Sequence, residues 1–360
     1  MKYIQKPMFI LLLVYCVFFL PLFAYADMEI HFLDVNQGDC AIILCDGDAM
    51  MIDGGEPSES QFIYSYLHNT LNIEHLDYIV STHPHSDHVG GLSAAINACS
   101  VDVVFSSVFY YEDNAFLSFR KAMQKHNLSF TFPMPGNTLQ LGNTTIEFLA
   151  SSRLHNKMND NSIIPRVLYG EISFLFMGDA EIEEEQELLS SNSEITSTLI
   201  KIGHHGSNTS SSADFLSRVS PSFAVISVGK GNKYGHPNSE VIDILEDMNV
   251  TILRTDNCGT IICISDGHSL SYSTEKESCQ SPSPSLITSE NEDRPEIIIR
   301  SNSQNSIEST VLYIGNKRTH KFHYPTCQSV TDMKIDNRIE FYSREDAVSL
   351  GYDPCGSCQP

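Results

Sequence analysis

His83, His85, Asp87 and His88 bring three imidazoles and one carboxylate into six consecutive positions, within the run Ser81-Thr82-His83-Pro84-His85-Ser86-Asp87-His88-Val89-Gly90-Gly91. The apolar stretch Tyr78-Ile79-Val80 just before it reads as the end of a strand. An extended chain alternates its side chains with period two, so His83 and His85 arrive on one side, while Asp87 and His88 lie past the bend and can face a second ion. The spacing therefore predicts two divalent cations a few ångströms apart rather than a histidine-rich surface loop. The loop alone supplies too few ligands, so further donors must come from other strand ends.

Asp179 in Met177-Gly178-Asp179 and His205 in Lys201-Ile202-Gly203-His204-His205-Gly206-Ser207 each follow an apolar run. A water shared by two divalent cations loses a proton near neutral pH and becomes a nucleophile, and the same cations polarise the electrophile and hold the departing oxygen. No serine or cysteine nucleophile is then needed. Imidazoles with carboxylates suit zinc first, and the oxygen donors also admit manganese or iron. His236, in Tyr234-Gly235-His236-Pro237-Asn238, lies between an expected strand and an expected helix, where it can contact a phosphate or protonate a leaving group. Asp34 reads as a structural hydrogen-bonding partner, or a group behind the ligands, rather than a ligand.

The elements that must position these residues follow from the apolar spacing. Ile30 to Val35, Ala41 to Cys45 and Ala49 to Ile52 read as antiparallel strands. Ser58-Glu59-Ser60-Gln61 fits a capping box ahead of a helix carrying Phe62, Ile63, Tyr66 and Leu67. Strands are expected at Leu76 to Val80 and Val101 to Phe105, with helices at Gly91 to Ala98 and Ala115 to Lys125. Gly90 and Gly91 are expected to let the backbone pass close to the ions. Further strands are read at Thr145 to Leu149, Ile163 to Tyr169, Ile172 to Met177, Leu199 to Ile202, Phe223 to Val228, Thr251 to Leu253 and Thr260 to Ile264. Glu181, Glu183, Glu184 and Glu185 suit the first turn of a helix, and Val241 to Met248 reads as another. Strands then helices in each half predict two sheets face to face with helices outside.

Length and charge set the frame. The 360 residues allow one large domain and something smaller. Lys2 and Lys6, an apolar Met8 to Phe23 and Ala24-Tyr25-Ala26 have the form of a secretory signal, giving an exported chain from about Asp27 that no longer holds a membrane segment. Without residues 1–26, 20 lysines and arginines face 45 acids, a formal charge of −25. Such a charge repels polyanions at long range, so if the substrate is a nucleic acid, moderate salt should help by screening beyond about 10 Å. Cys40, Cys45, Cys99, Cys258, Cys263 and Cys279 can form disulfides outside the cytosol, in a pairing that spacing leaves open. Residues 27–275 make the main body, 276–309 a disordered linker rich in Ser, Pro and acidic residues, and 310–360 a second unit.

The HxHxDH run with Gly-Gly, the Gly-Asp after a strand and the later histidine resemble the metallo-β-lactamase fold superfamily over about Met28 to Ser273, which implies an αββα sandwich. Leu33-Asp34-Val35-Asn36-Gln37-Gly38-Asp39, Asn159-Asp160-Asn161-Ser162, Met177-Gly178-Asp179 and the Lys201 to Ser207 run look more narrowly like the hydrolase domain of ComEC-type DNA-uptake channel proteins. Those channels carry many membrane helices, so the resemblance implies a free, exported hydrolase domain. It makes His83 and His85 ligands of one metal, Asp87 and His88 ligands of the other, Asp179 the bridge, and His205 the residue completing the second site. Period-two alternation lets only one of His204 and His205 face the ions, and favours His205. His155 stands where many members have a further histidine, but the neighbouring Asn159 to Ser162 run resembles a subgroup with polar amides there, which favours a solvated loop residue over a ligand and leaves both open.

Near the end, His323-Tyr324-Pro325-Thr326-Cys327 and Cys355-Gly356-Ser357-Cys358 form the halves of a tetrahedral zinc site with one imidazole and three thiolates. Tyr313 to Pro360 resembles the small zinc domain of the Ada DNA-repair methyltransferase, with His323 where that domain carries its methyl-accepting cysteine, so phosphotriester repair is not implied. Lys317, Arg318, Lys321 and Arg344 are offset by Asp332, Asp336, Glu340, Glu345 and Asp346, which balances a phosphate contact against a purely structural role. The sequence therefore points to a dinuclear hydrolase of phosphodiesters, nucleic acid among them. The alternatives are a hydrolase of lactones, lactams or thioesters, and a DNA- or envelope-binding module with a degenerate hydrolase domain.

Overall fold

The computed structural model describes residues 27–149, 155, 157–276 and 279, and residues 313–358 except 325, 326, 332, 335, 336, 342, 343 and 357. The expected leader and nearly all of the expected linker lie outside the described residues. Among the described residues no helix is long and apolar enough to cross a membrane.

The main body is the expected αββα sandwich. Strands β1 (Met28–Phe32), β2 (Ala41–Cys45), β3 (Asp48–Ile52), β4 (His75–Ser81), β5 (Ser100–Ser106) and β6 (Phe130–Thr131) build the first sheet. The second takes β7 (Thr138–Leu141), β8 (Thr144–Phe148), β9 (Pro165–Tyr169), β10 (Ile172–Phe176), β11 (Leu199–Lys201), β12 (Phe223–Ile226) and β13 (Thr251–Arg254). The chain then returns with β14 (Ile261–Ser265) and β15 (Leu270–Thr274), giving the orders β15-β14-β1-β2-β3-β4-β5-β6 and β13-β12-β11-β10-β9-β8-β7. In each sheet an antiparallel part meets a parallel part, at β3 with β4 and at β10 with β11. The loops that follow the parallel strands carry the chemistry, as expected at such switch points.

Alternation along the strands sorts the core. Ile43 and Met50 point between the sheets with Phe32, Phe105, Phe148 and Phe174, while Ile42 and Met51 pack under α1 (Ser60–Ser65), α3 (Leu92–Ala98) and α4 (Asn114–Lys125) with Ile63, Leu92 and Phe116. The outer face of the second sheet is covered by α5 (Ile182–Ser190), α6 (Ala213–Val219) and α7 (Ser239–Asp247) through Leu188, Phe215 and Leu245. Each such side chain contributes about 1.5–3 kcal/mol on burial, enough to hold loop ends in register.

Several expectations change. The capping box does not form: a 3₁₀ turn at Pro57–Glu59 leads into α1, and Ser58 Oγ bonds the side chain of Glu59 instead of a helix N–H. Proline at the first position of that turn pre-sets the helical φ and removes one donor that a cap would satisfy. β7, α6 and β15 are additional to the expected elements. Gly90 and Gly91 allow a close approach of protein backbone: a Cβ on Gly90 would lie 2.2 Å from Pro57 N, and one on Gly91 2.3 Å from Gly54 O.

The second unit carries β16 (Tyr313–Asn316), β17 (Lys321–His323), β18 (Arg338–Phe341) and β19 (Asp353–Pro354) in the order β18-β16-β17-β19, around Phe322, Phe341 and Tyr352.

Candidate metal centre

β4 ends at Ser81, and the chain stays extended as far as His85, which has φ −66° and ψ 150° and begins the one-turn helix α2 (Ser86–Val89). His83 and His85 therefore lie side by side, with Nε2 of the first 3.0 Å from Nδ1 of the second. Asp87 and His88 sit on the helical turn. The chain from Met177 through Gly178 (φ 53°) carries Asp179 in from the end of β10, where Ser162 Oγ accepts from the Asp179 N–H at 3.2 Å.

Asp179 sits among the imidazoles with its two oxygens facing different sets. Oδ1 lies 3.1 Å from His88 Nε2 and 3.6 Å from His205 Nε2, and the same His205 nitrogen is 3.4 Å from Asp87 Oδ2. Oδ2 lies 3.7 Å from His83 Nε2 and 3.9 Å from His204 Nε2. Both members of the His204-His205 pair thus face Asp179, His205 at 3.6 Å and within the donor cluster of Asp87, His88 and Asp179, His204 at 3.9 Å. The strand has already ended at Lys201, and both histidines adopt left-handed backbone, φ 47° and 54°, so strand alternation no longer governs them. Two such residues cost on the order of 1–3 kcal/mol each. The turn is held by Ser210 Oγ donating to Gly203 O at 2.8 Å and by the His204 N–H on Gly178 O at 3.1 Å.

The far nitrogens of His83, His88, His204 and His205 each meet a neighbouring oxygen, which fixes the tautomer and leaves the other nitrogen to face the cluster. His88 Nδ1 bonds Asp53 Oδ2 at 2.8 Å; Thr82 Oγ1 donates to the same oxygen at 2.6 Å and lies 3.3 Å from His83 Nδ1. His205 Nδ1 donates to Ser227 O at 3.0 Å and lies 3.3 Å from Asp39, whose other oxygen is paired with Lys201 at 2.5 Å. His204 Nδ1 faces Thr209 Oγ1 at 3.1 Å and Glu181 Oε1 at 3.3 Å. Asp39, Asp53 and Glu181 are buried supports that reading the motifs as ligands missed. Their signal was a carboxylate at a strand end or next to a motif glycine. Asp34 is a structural partner away from the ligands, pairing with Lys276 at 3.0 Å.

The electrostatics describe a place built for positive charge. Burial works against a charged His205, yet Asp179, Asp39 and Asp87 outweigh it and raise its pKa to about 10. His88 is likewise held well above the usual histidine range by Asp179 and Asp53 despite its burial. His83, buried beside His88, is pushed well below that range. His88 Nε2, His205 Nε2 and Asp179 Oδ1 are buried without hydrogen-bond partners, and donor atoms of Asp87, His88, Asp179 and His205 lie within 4.8 Å of one another. Buried polar atoms that face one another without satisfied hydrogen bonds are costly, and a divalent cation would satisfy all of them. The donor set fits a metal.

The remaining positions separate cleanly. His236 lines a cleft of about 300 Å³ with His85, Asp87, Asn159, Asp179 and His204. Its Nδ1 is buried without a partner, and burial followed by the nearby His204 and His205 lowers its pKa. His155 lies apart, with Nε2 2.9 Å from Glu184 Oε2 on α5. Asp160, in the Asn-Asp-Asn-Ser run, caps that helix by accepting from the N–H groups of Glu181 at 2.9 Å and Glu184 at 3.4 Å. The acidic first turn of α5 is thus partly inward, for Glu184 and Glu185 are buried and Glu185 accepts from the backbone N–H groups of Ser211 and Ser212. Cys258 and Cys279 form a disulfide, while Cys40, Cys45, Cys99 and Cys263 are free and buried. In the second unit, His323 Nδ1 is buried without a partner, and donor atoms of His323, Cys327, Cys355 and Cys358 lie within 4.8 Å of one another.

An αββα sandwich with this histidine-aspartate cluster at its parallel strand ends defines a class, and comparison with known proteins gives the same one. The sequence profile of the metallo-beta-lactamase superfamily matches residues 33–230, and the chain belongs to that superfamily. It is 26% identical over 254 residues to ComE operon protein 3 of Bacillus subtilis, covering 66% of this chain and 33% of that protein. It is 28% identical over 229 residues to competence protein ComA of Neisseria gonorrhoeae, covering 63% and 31%. The chain thus spans about a third of the length of these relatives. Among solved structures, the metallo-beta-lactamase fold protein YhfI from Bacillus subtilis superposes with a TM-score of 0.46 at 12% identity, over 66% of this chain and all of that one.

Proposed function

We propose that the chain is an exported, dinuclear metal-dependent phosphodiesterase whose substrate class is nucleic acid. The observation that carries this reading is Asp179, whose two oxygens face separate imidazole sets in a cleft open to solvent. On this reading His83, His85, His204 and Asp179 would hold one ion, and Asp87, His88, His205 and Asp179 the other. Zinc suits the imidazoles best. Two cations so placed supply Lewis acidity toward a phosphoryl oxygen and a nucleophile available at neutral pH.

The protein's own groups do the rest. Asp53, Asp39 and Glu181 hold the imidazoles in the tautomers that present the free nitrogen inward. His236, whose pKa burial and the neighbouring His204 and His205 lower, offers an N–H to a non-bridging phosphate oxygen and orients the diester in the cleft. Asn159, whose side-chain nitrogen is 3.3 Å from Glu181 Oε1, lies beside it on the cleft wall. The names competence protein and recombination protein among the relatives favour nucleic acid within the phosphodiester class. Export is supported by the leader composition and by the Cys258–Cys279 disulfide. In the second unit, His323, Cys327, Cys355 and Cys358 would hold one further zinc ion in a structural role.

A panel of bis(p-nitrophenyl) phosphate, single- and double-stranded DNA, a lactone, a thioester and a β-lactam separates the readings. Metal-dependent turnover is expected on the diester and on DNA only. Preferential lactone, thioester or lactam hydrolysis would select the non-phosphate alternative, and no turnover with any substrate would select the binding-module alternative.

A further inference from the structure

A second cleft, of about 450 Å³, lies apart from the catalytic one and is lined by Lys230, Arg254, Asp256, Asn257 and Lys276 beside the Cys258–Cys279 disulfide. Three cations there face two carboxylates, Asp256 in the lining and Asp34 beside Lys276, in a chain of net charge −23. The contrast is sharper along the sequence, since from Asp27 to Phe119, the stretch holding the HxHxDH loop, no lysine or arginine occurs. Asp256 takes Nε and Nη2 of Arg254 at 3.0 and 2.7 Å, which fixes the guanidinium and leaves Nη1 for an incoming anion. Lys276 is shared with Asp34. Lys230 is exposed and has no carboxylate partner among the described residues.

One loop joins the two clefts. Gly229, next to Lys230, donates to Gln37 Oε1 on the catalytic wall at 3.2 Å, and Tyr234 and His236 farther along the same loop line the catalytic cleft. Asn232 braces the loop by accepting from the N–H groups of Tyr234 and His236 at 3.1 Å and donating to Gly229 O at 3.0 Å. At its crest Tyr234 is 58% exposed and lies nearly parallel to His236, with ring centroids 5.8 Å apart. Lys233 Nζ lies 5.0 Å from the Tyr234 ring centroid. An exposed aromatic ring with a cation beside it, between a basic cleft and a catalytic cleft that would take a phosphate through its ions, suits a single nucleic-acid strand, whose unpaired bases stack while the backbone follows positive charge. A duplex keeps its base faces inside and gains nothing from the ring.

We propose that this cleft is a second phosphate-binding subsite, which takes the backbone of a single-stranded nucleic acid beyond the scissile diester as the strand passes over Tyr234. The proposal rests on the phosphodiester reading and narrows its substrate from any diester to a polynucleotide strand. It also reverses the salt dependence expected from net charge alone, because a local basic cleft releases counterions when phosphates dock.

The test uses the full metal-loaded chain and a labelled single-stranded oligonucleotide of about a dozen residues, followed by fluorescence anisotropy with catalysis suppressed by low temperature. Wild-type affinity is expected to fall with rising salt. Lys230→Glu with Lys276→Glu should weaken binding roughly tenfold or more and flatten the salt dependence, while turnover of bis(p-nitrophenyl) phosphate stays within about twofold of wild type because that diester fills only the catalytic cleft. Lys230→Gln alone, at an exposed position without a carboxylate partner, should show a smaller loss in the same direction and guards against misfolding of the double variant. Unchanged oligonucleotide binding in both variants, or wild-type affinity that rises with salt, overturns the proposal. Absence of small-diester turnover by wild-type protein would instead remove the reading beneath it, and the binding arm keeps the two failures apart.

Discussion

Replacing Asp179 by alanine is expected to lower phosphodiester turnover on the order of a thousandfold or more, and to reduce the metal held by the main body. Asp179 is the one carboxylate whose two oxygens reach both imidazole sets, His88 and His205 on one side and His83 and His204 on the other. Its loss takes a ligand from both ions at once and leaves His88 and His205, both drawn toward the charged form partly by Asp179, to repel each other. Several kcal/mol of transition-state stabilisation depend on such a metal pair, and each 1.36 kcal/mol is tenfold in rate. Steady-state kinetics with elemental analysis of the folded variant checks the expectation. Turnover within tenfold of wild type would mean that Asp179 is not the bridge.

Replacing Cys355 by serine is expected to unfold residues 313–358 while leaving small-diester hydrolysis by the main body in place. The apolar groups of this unit, among them Ile314, Phe322, Phe341 and Tyr352, are few, and a unit of this size rarely folds firmly without a staple. Four donors from His323, Cys327, Cys355 and Cys358 converge there with no place left for a water ligand. Without an ion the Cys358 thiol is pushed up to about 11, by burial and by its thiol neighbours, so zinc must displace protons on binding, and the binding energy becomes folding energy. Loss of dispersed amide signals and rapid proteolysis of the C-terminal unit should follow. His323→Cys should keep the unit folded, because four thiolates also accept zinc. A C-terminal unit that stays folded in strong chelator, or a main body that loses small-diester activity with it, would show that the two are not independent.

The legible part of this protein was its periodicity and its motifs. Apolar alternation located most strands and the helices that cover both sheets, because the residues between the sheets and those beneath the helices differ by one position, as Ile42 and Ile43 do. The cluster of His83, His85, Asp87, His88, Asp179 and His205 was visible because each residue stands at or just past a strand end. What escaped is tertiary. No local signal says that Asp53 anchors His88, 35 residues away, or that Asp39 pairs with Lys201 across the two sheets. The choice between His204 and His205 was argued from strand alternation, which does not govern them, because both stand in a left-handed turn. The second cleft was hidden by net charge, a sum over the whole surface that says nothing of where Lys230, Arg254 and Lys276 meet.

The most direct measurement is metal titration of metal-free Cys355→Ser protein, which removes the structural site from the count, with zinc content and bis(p-nitrophenyl) phosphate hydrolysis followed together. The account predicts two ions per chain in the main body and activity that rises to its full value only as the second is taken up. A chain that hydrolyses the diester at full rate with one ion or none, or that takes up two ions without hydrolysing any phosphodiester, would contradict it.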